Sequence, residues 1–258
     1  NKLFFFSCFM SEIDYVEIGF KSGLEIHQQL DSRKLFCNCL SYLRSDEPDY
    51  IVKRKLHVVA GESGEIDVAV KYQSSLDKEF FYQAYKNNVC LIDLDEEPPH
   101  EINQDALKIA LHIALLLNCK IQTLTQIMRK TVIDGSNTSG FQRTLFLARD
   151  GYVETSKGRV RIAGVFLEED SARIIGKDAR EQVHGATKSG KQDFTGKGRD
   201  IYRLDRLGIP LVEIATEPDI KDAEHAKETA LTIGNILRSC KVKRGIGTIR
   251  QDINISIK

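Results

Sequence analysis

Polar and apolar residues alternate along Phe20–Leu30, FKSGLEIHQQL, with Leu24, Ile26 and Leu30 on one side and Glu25, His27 and Gln29 on the other. A period of two predicts a half-buried strand that carries Glu25 and His27 on one face, about two strand rises apart. Gly64–Tyr72 shows the same period, as does Ile246–Ile257. In the latter Ile249, Ile253, Ile255 and Ile257 make a core face, and Thr248, Arg250, Asp252, Asn254 and Ser256 a polar one. Strand-like runs lie within Glu79–Leu94, and Gln126–Asp134, Thr144–Thr155 and Gly158–Leu167 are further predicted strands, with Asp150-Gly151 as a turn. The apolar strand Ile209–Ala215 is interrupted by one carboxylate, Glu213. Helical spacing occurs twice. After Pro98-Pro99, Asn103 caps a predicted helix over Gln104–Asn118, apolar nearly all round and therefore expected to be buried, with His112 as a core histidine. Asp222 caps a second, with Ala223, Ala226, Ala230, Ile233 and Leu237 on one stripe.

Composition narrows the reading without deciding it. The 258 residues are 41% hydrophobic, and their 37 basic and 37 acidic side chains cancel. This argues against a surface dominated by phosphate contacts but leaves local basic patches. No apolar run approaches the ~20 residues that span a bilayer. The six scattered cysteines point to a reducing compartment, the cytoplasm. Residues 1–9 precede the first methionine, Met10, and are expected to be an upstream extension of a catalytic domain over 10–258. Gly176–Arg199, polar and rich in glycine and lysine, is expected to be a flexible basic loop.

The candidate chemistry is carried by strands. The run Glu168-Glu169-Asp170 directly follows apolar Val165–Leu167, and adjacent carboxylates need a positive partner. Glu213, alone between Val212 and Ile214, needs one too. Glu25 with His27, Glu168 with Glu169, Glu213 and Asp252 together offer one imidazole and several carboxylates, a donor set that suits Mg²⁺ or Mn²⁺ better than a structural zinc. Cys37-Asn38-Cys39 with Cys90 supplies three thiols, and zinc is not expected there because no fourth ligand is evident. The loop Gly135–Gly140, GSNTSG, is flanked by Arg129, Lys130 and Arg143; glycine-bounded loops of this kind hold phosphates, although a polar hairpin loop explains it as well.

Five ordered stretches, GLEIHQQL, DGSNTSGFQRT, LEEDSAR, YRLDRLGIPLVEIATEPD and GIGTIRQDINISI, resemble the B/E family of catalytic subunits of tRNA-dependent amidotransferases from about Ser22 onward. The resemblance implies an α+β fold, a largely antiparallel sheet with covering helices called the cradle domain. It implies ATP- and Mg²⁺-dependent phosphorylation of the γ-carboxylate of glutamate esterified to tRNA(Gln). Ammonia from an asparaginase-like partner subunit in a hetero-oligomer then gives Gln-tRNA(Gln). It further implies His27, Glu169 and Glu213 as catalytic metal ligands, with Glu25, Glu168 and Asp252 on a second ion or behind the first. Ser136, Thr138, Ser139 and Arg143 would lie near the ATP phosphates.

Within the family, IDGSNTSGFQ and the lone C-x-C replace the YPDLPKGYQ-like stretch and paired-cysteine zinc site of the B type, and side with the archaeal E type. The synthetase-like and tRNA-binding regions of the E type are expected beyond Lys258. A B-type activity on Asp- or Glu-tRNA, a metal-dependent hydrolase or nuclease, and a non-catalytic tRNA-binding module are the competing readings.

Overall fold

The computed structural model describes residues 14–55, 64–66, 68–75, 78–177 and 199–258. Residues 1–9 and most of the expected basic loop, 178–198, lie outside them. Eleven strands and three helices follow in the order β1 (Lys21–Gln29), β2 (Tyr50–Lys55), α1 (Val68–Ser75), β3 (Glu79–Ala84), α2 (Gln104–Leu116), β4 (Lys120–Ile121), β5 (Ile127–Thr131), β6 (Phe141–Thr155), β7 (Gly158–Glu169), β8 (Arg173–Lys177), β9 (Arg199–Arg203), β10 (Pro210–Thr216), α3 (Ala223–Ser239) and β11 (Ile249–Ser256).

A seven-stranded sheet runs β11-β1-β10-β7-β6-β4, with β5 also on β6, and every pairing in it is antiparallel. Its apolar face presents Leu24, Ile26, Leu145, Leu147, Val165, Leu167, Val212 and Ile214 to α2 and α3, which bring Ala106, Ala110, Ile113, Leu117, Ile233 and Leu237. Both helices are therefore on one side, and the fold is the expected α+β class. A second, four-stranded sheet, β2-β3-β9-β8, has its own core around Phe80, Tyr82, Tyr202 and Leu204.

The caps follow the sequence. Asn103 accepts hydrogen bonds from the Asp105 and Ala106 amides, and Asp222 accepts one from His225. Four expectations are corrected. The stretch read as a strand over Gly64–Tyr72 contains helix α1. Of its apolar residues Val70 is buried while Val68 and Tyr72 are exposed, so a short alternating run with one core contact did not determine the period. Asp150-Gly151 is not a turn between strands: β6 continues through it, and the chain reverses after Thr155. Asp150 instead takes a left-handed φ of 53°, a kink that aspartate tolerates. Gly151 beside it is required, since a Cβ there would lie 2.2 Å from Cys119 Sγ and 2.5 Å from the Leu117 carbonyl.

Helix α2 is not buried all round. Leu115 and Leu116 are exposed, and so is His112, which is therefore not the core histidine expected, because sheet contacts are made by the Ala106, Ala110, Ile113 and Ala114 side. Of the isoleucines expected on the core face near the end of the chain, Ile249 packs against the core, while Ile253 and Ile255 of β11 and Ile257 after it are exposed. That strand pairs only with β1 among the described residues, at the sheet edge.

Candidate metal and carboxylate site

The opposite face of the large sheet is polar, and its register assembles the site. Across β1 and β10, His27 is paired with Glu213. Across β10 and β7, Leu211 is paired with Glu168, which brings Glu168 onto the same face two residues along from Glu213. His27 Nε2 lies 3.4 Å from Glu213 Oε2, 3.6 Å from Glu25 Oε1 and 3.7 Å from Glu168 Oε1. Glu25, His27 and Glu213 each offer one ligand atom, all within 4.8 Å of one another. Lys130, from β5, reaches Glu213 at 3.5 Å and Glu168 at 3.6 Å, and Thr144 Oγ1 donates to Glu168. His27 Nδ1 is buried without a hydrogen-bond partner among the described residues. One imidazole nitrogen converging with carboxylate oxygens is a donor set that fits a hard divalent cation.

The electrostatics are those of a site short of positive charge. Burial works against a charged His27, yet the hydrogen bond and charge of Glu213, with Glu168 behind it, hold its pKa above the ordinary 6.5. The same bond from His27 lowers Glu213. Glu168 is raised, chiefly by burial, which Lys130 opposes. A carboxylate only 2% exposed yet facing an imidazole and two more acids gains most from a cation beside it.

The acidic run divides. Glu169 points to the other side of β7 from Glu168, and its carboxylate faces the Arg143 guanidinium at 3.1 Å and the Arg143 amide at 3.3 Å. Burial raises its pKa and Arg143 opposes the shift. The expectation that Glu169 joins His27 and Glu213 is corrected: strand alternation turns it away, and Glu168 stands in its position. Asp170 takes a third direction, accepting a hydrogen bond from Gln29 Nε2 at 2.7 Å and lying 3.5 Å from Arg206 and 3.6 Å from Arg250. Asp252 is paired with Glu25 across β1 and β11 but is exposed and is not one of the clustered donors.

The GSNTSG loop lies beside this face with most of its polar groups engaged internally. Thr138 Oγ1 donates to the Asp93 carbonyl and Ser139 Oγ to the Phe141 carbonyl, while Arg143 is held by Glu169. Of the four residues expected near phosphates, Ser136 lines a cavity of about 350 Å³ together with Lys78, Ser171, Asp200, Tyr202 and Arg206. Lys130, Lys78 and Arg206 were not singled out as site residues from the sequence. Lys130 has a signal in its basic charge beside the loop and Arg206 in its place within YRLDRLGIPLVEIATEPD, whereas Lys78 arrives from a distant segment. Gln29, Asp170 and Arg206 form a polar line from the His27 strand to the cavity.

Fold and site define a class: an α+β domain that presents an imidazole–carboxylate cluster from an open antiparallel sheet, next to a cavity with basic side chains. The chain belongs to the GatB/GatE catalytic domain family, whose profile matches residues 20–258. It is 55% identical over 249 residues to the E subunit of the glutamyl-tRNA(Gln) amidotransferase of Methanocaldococcus jannaschii, covering 96% of this chain and 37% of that protein. The E subunits from Methanosarcina acetivorans and Methanothermobacter thermautotrophicus are 50% and 49% identical, over 96% and 95% of this chain and 37% of each relative. The chain thus spans little more than a third of the length of the curated relatives it matches. Among the described residues no helix is long and apolar enough to cross a membrane.

Proposed function

We propose that the chain is the carboxylate-activating part of an ATP-dependent glutamyl-tRNA(Gln) amidotransferase. The γ-carboxylate of glutamate esterified to the tRNA takes the terminal phosphoryl group of ATP, and ammonia then displaces phosphate to leave Gln-tRNA(Gln). The convergence of His27, Glu25, Glu213 and Glu168 on one face of the sheet carries this reading. The names of the relatives supply the substrate. Glu25, His27 and Glu213, with Glu168 beside them, would hold Mg²⁺ or Mn²⁺; a bound ion neutralises the charge that otherwise keeps a carboxylate and a polyphosphate apart.

The side chains do the rest. Glu213, with its lowered pKa, stays ionised, while Lys130 offsets part of the charge of Glu213 and Glu168 and limits their repulsion. Arg206 and Lys78 bring positive charge to the cavity, where Ser136 and Ser171 contribute hydroxyls, a lining suited to phosphate oxygens. Thr138, Ser139 and Arg143 act by fixing the loop through their internal bonds. Asp252 serves at the rim, outside the ion's immediate ligands. Ammonia would arrive from an asparaginase-like partner subunit in a hetero-oligomer, and the tRNA body would be held elsewhere in the full-length protein.

The test is transfer of labelled γ-phosphoryl from ATP to Glu-tRNA(Gln) by the full-length protein. Glu168→Gln and His27→Ala should each lower it by about two orders of magnitude or more, as expected when a charge-stabilising group is lost. Undiminished transfer in both variants would remove the metal assignment, and turnover independent of ATP would favour the hydrolase reading.

A further inference from the structure

The polar face of the large sheet extends one strand beyond β1. Across β1 and β11, Arg250 is paired with His27, and directly opposed residues of an antiparallel pair point to the same side. Arg250 therefore stands on the face that carries His27, Glu213 and Glu168. Its side chain is 44% exposed, and the one ion-pair or hydrogen-bond partner of its guanidinium among the described residues is Asp170, with Nη2 3.6 Å from Oδ1. The other cations of this region are committed. Arg143 is held by Glu169, Lys130 lies against Glu168 and Glu213, and Arg206 donates to the Ser171 and Ala172 carbonyls at 2.7 and 3.0 Å. Arg250 keeps most of its donors unused, in the planar fork that matches two phosphate oxygens.

Charge decides what such a group can meet. Glu25, Glu168 and Glu213 surround His27 with only Lys130 against them, so a divalent ion bound there is offset by its own ligands. Asp170 is the reverse case. Only 2% exposed, it faces two guanidiniums, Arg206 at 3.5 Å and Arg250 at 3.6 Å, which leaves the group with a surplus positive charge. Gln29 donates to one Asp170 oxygen at 2.7 Å and the Ser171 amide to the other at 2.9 Å, which fixes the carboxylate. The surplus adjoins the carboxylate cluster through the pairing of Arg250 with His27, and the cavity through Arg206.

We propose that Arg250, oriented by Asp170, is a catalytic residue that stabilises the phosphoryl group as it passes from ATP to the glutamyl γ-carboxylate. The inference rests on the reaction proposed above and adds a group to it. A carboxylate oxygen forms its bond to the γ-phosphorus while the bond from that phosphorus to the β,γ-bridging oxygen breaks. ADP leaves with the electron pair, and no proton moves in that step. Charge is spread over the equatorial oxygens of the group in transfer. A guanidinium contact that is stronger there than in bound ATP lowers the barrier and leaves ATP affinity alone.

The test uses the full-length protein with γ-labelled ATP, Mg²⁺ and Glu-tRNA(Gln). Arg250→Ala and Arg250→Lys should each lower kcat for phosphoryl transfer about a hundredfold or more, with KM for both substrates nearly unchanged, since lysine cannot present the fork. Calorimetry supplies a readout without turnover. ADP with aluminium fluoride, a stand-in for the phosphoryl group in transfer, should bind wild type more tightly than ADP alone. Arg250→Ala should lose that preference while binding ADP and Mn²⁺ as wild type does. A wild-type kcat in Arg250→Ala, a raised KM with kcat unchanged, or a retained aluminium fluoride preference overturns the inference and leaves the proposed reaction standing. A wild-type protein that transfers no phosphoryl group overturns both together. Arg250 is exposed on an edge strand, so both variants should fold; if Arg250→Ala does not, Arg250→Lys decides by the same measurements.

Discussion

Three neighbouring carboxylates escape mutual repulsion by leaving β7 in three directions. Glu168 meets His27 and Lys130, Glu169 meets Arg143, and Asp170 meets Gln29, Arg206 and Arg250. Their substitutions should separate accordingly. Glu169→Gln leaves the Arg143 guanidinium buried without its counter-charge and should cost about 3 kcal/mol of stability. Glu168→Gln removes a carboxylate whose ionisation burial already resists, and should cost less than about 1 kcal/mol while abolishing phosphoryl transfer. Urea denaturation midpoints of the two variants, measured side by side, check the contrast; equal losses would mean that the two acids share one role.

Among the elements, helix α3 carries a pH-sensitive joint at its start. His225 is fully buried, accepts the Lys221 amide at Nδ1 and meets Thr155 Oγ1 at Nε2. Burial lowers its pKa from 6.5. The unfolded chain therefore binds the extra proton first, so this contribution to stability is fully present above pH 6.5 and is lost as pH falls through the lowered value. Thermal melts should show a midpoint that declines below pH 6.5, with a shallower decline in His225→Gln.

The strands show how far the chain could be read in advance. Alternation in β1 put Glu25 and His27 on one face, and lone Glu213 announced its need for a partner. Glu169 was misassigned by a boundary. With the strand taken to stop at Leu167, the next acids had no defined facing, but β7 runs to Glu169, and the alternation that turns Leu167 to one side of the sheet turns Glu169 the same way. Asp93, clustered with Cys37, Cys39 and Cys90, was invisible beside them because its closeness to Cys37 and Cys39 arises only in three dimensions.

At the scale of the molecule, the two sheets meet through the GSNTSG loop. Tyr82 and Tyr202 of the small sheet donate to the Gly135 and Asp134 carbonyls, at 2.6 and 2.7 Å, and Gly135 passes so close to Phe80 that a Cβ would lie 2.3 Å from its ring. Tyr82→Phe combined with Tyr202→Phe should cost about 2 kcal/mol and speed amide hydrogen exchange across residues 135–140, leaving β1 and β10 protected. Unchanged exchange would mean that the loop is held from the large sheet alone. The division of labour along β7 has a further consequence, for inheritance. Which acid faces the imidazole is decided by a count of residues from the hairpin, not by any side chain's identity. A gene can therefore drift by volume-conserving apolar substitution through Val165–Leu167 at modest cost, yet a single codon lost there brings Glu169 to the place of Glu168, and one gained brings Leu167 there. This stretch is tolerant of spelling and intolerant of length.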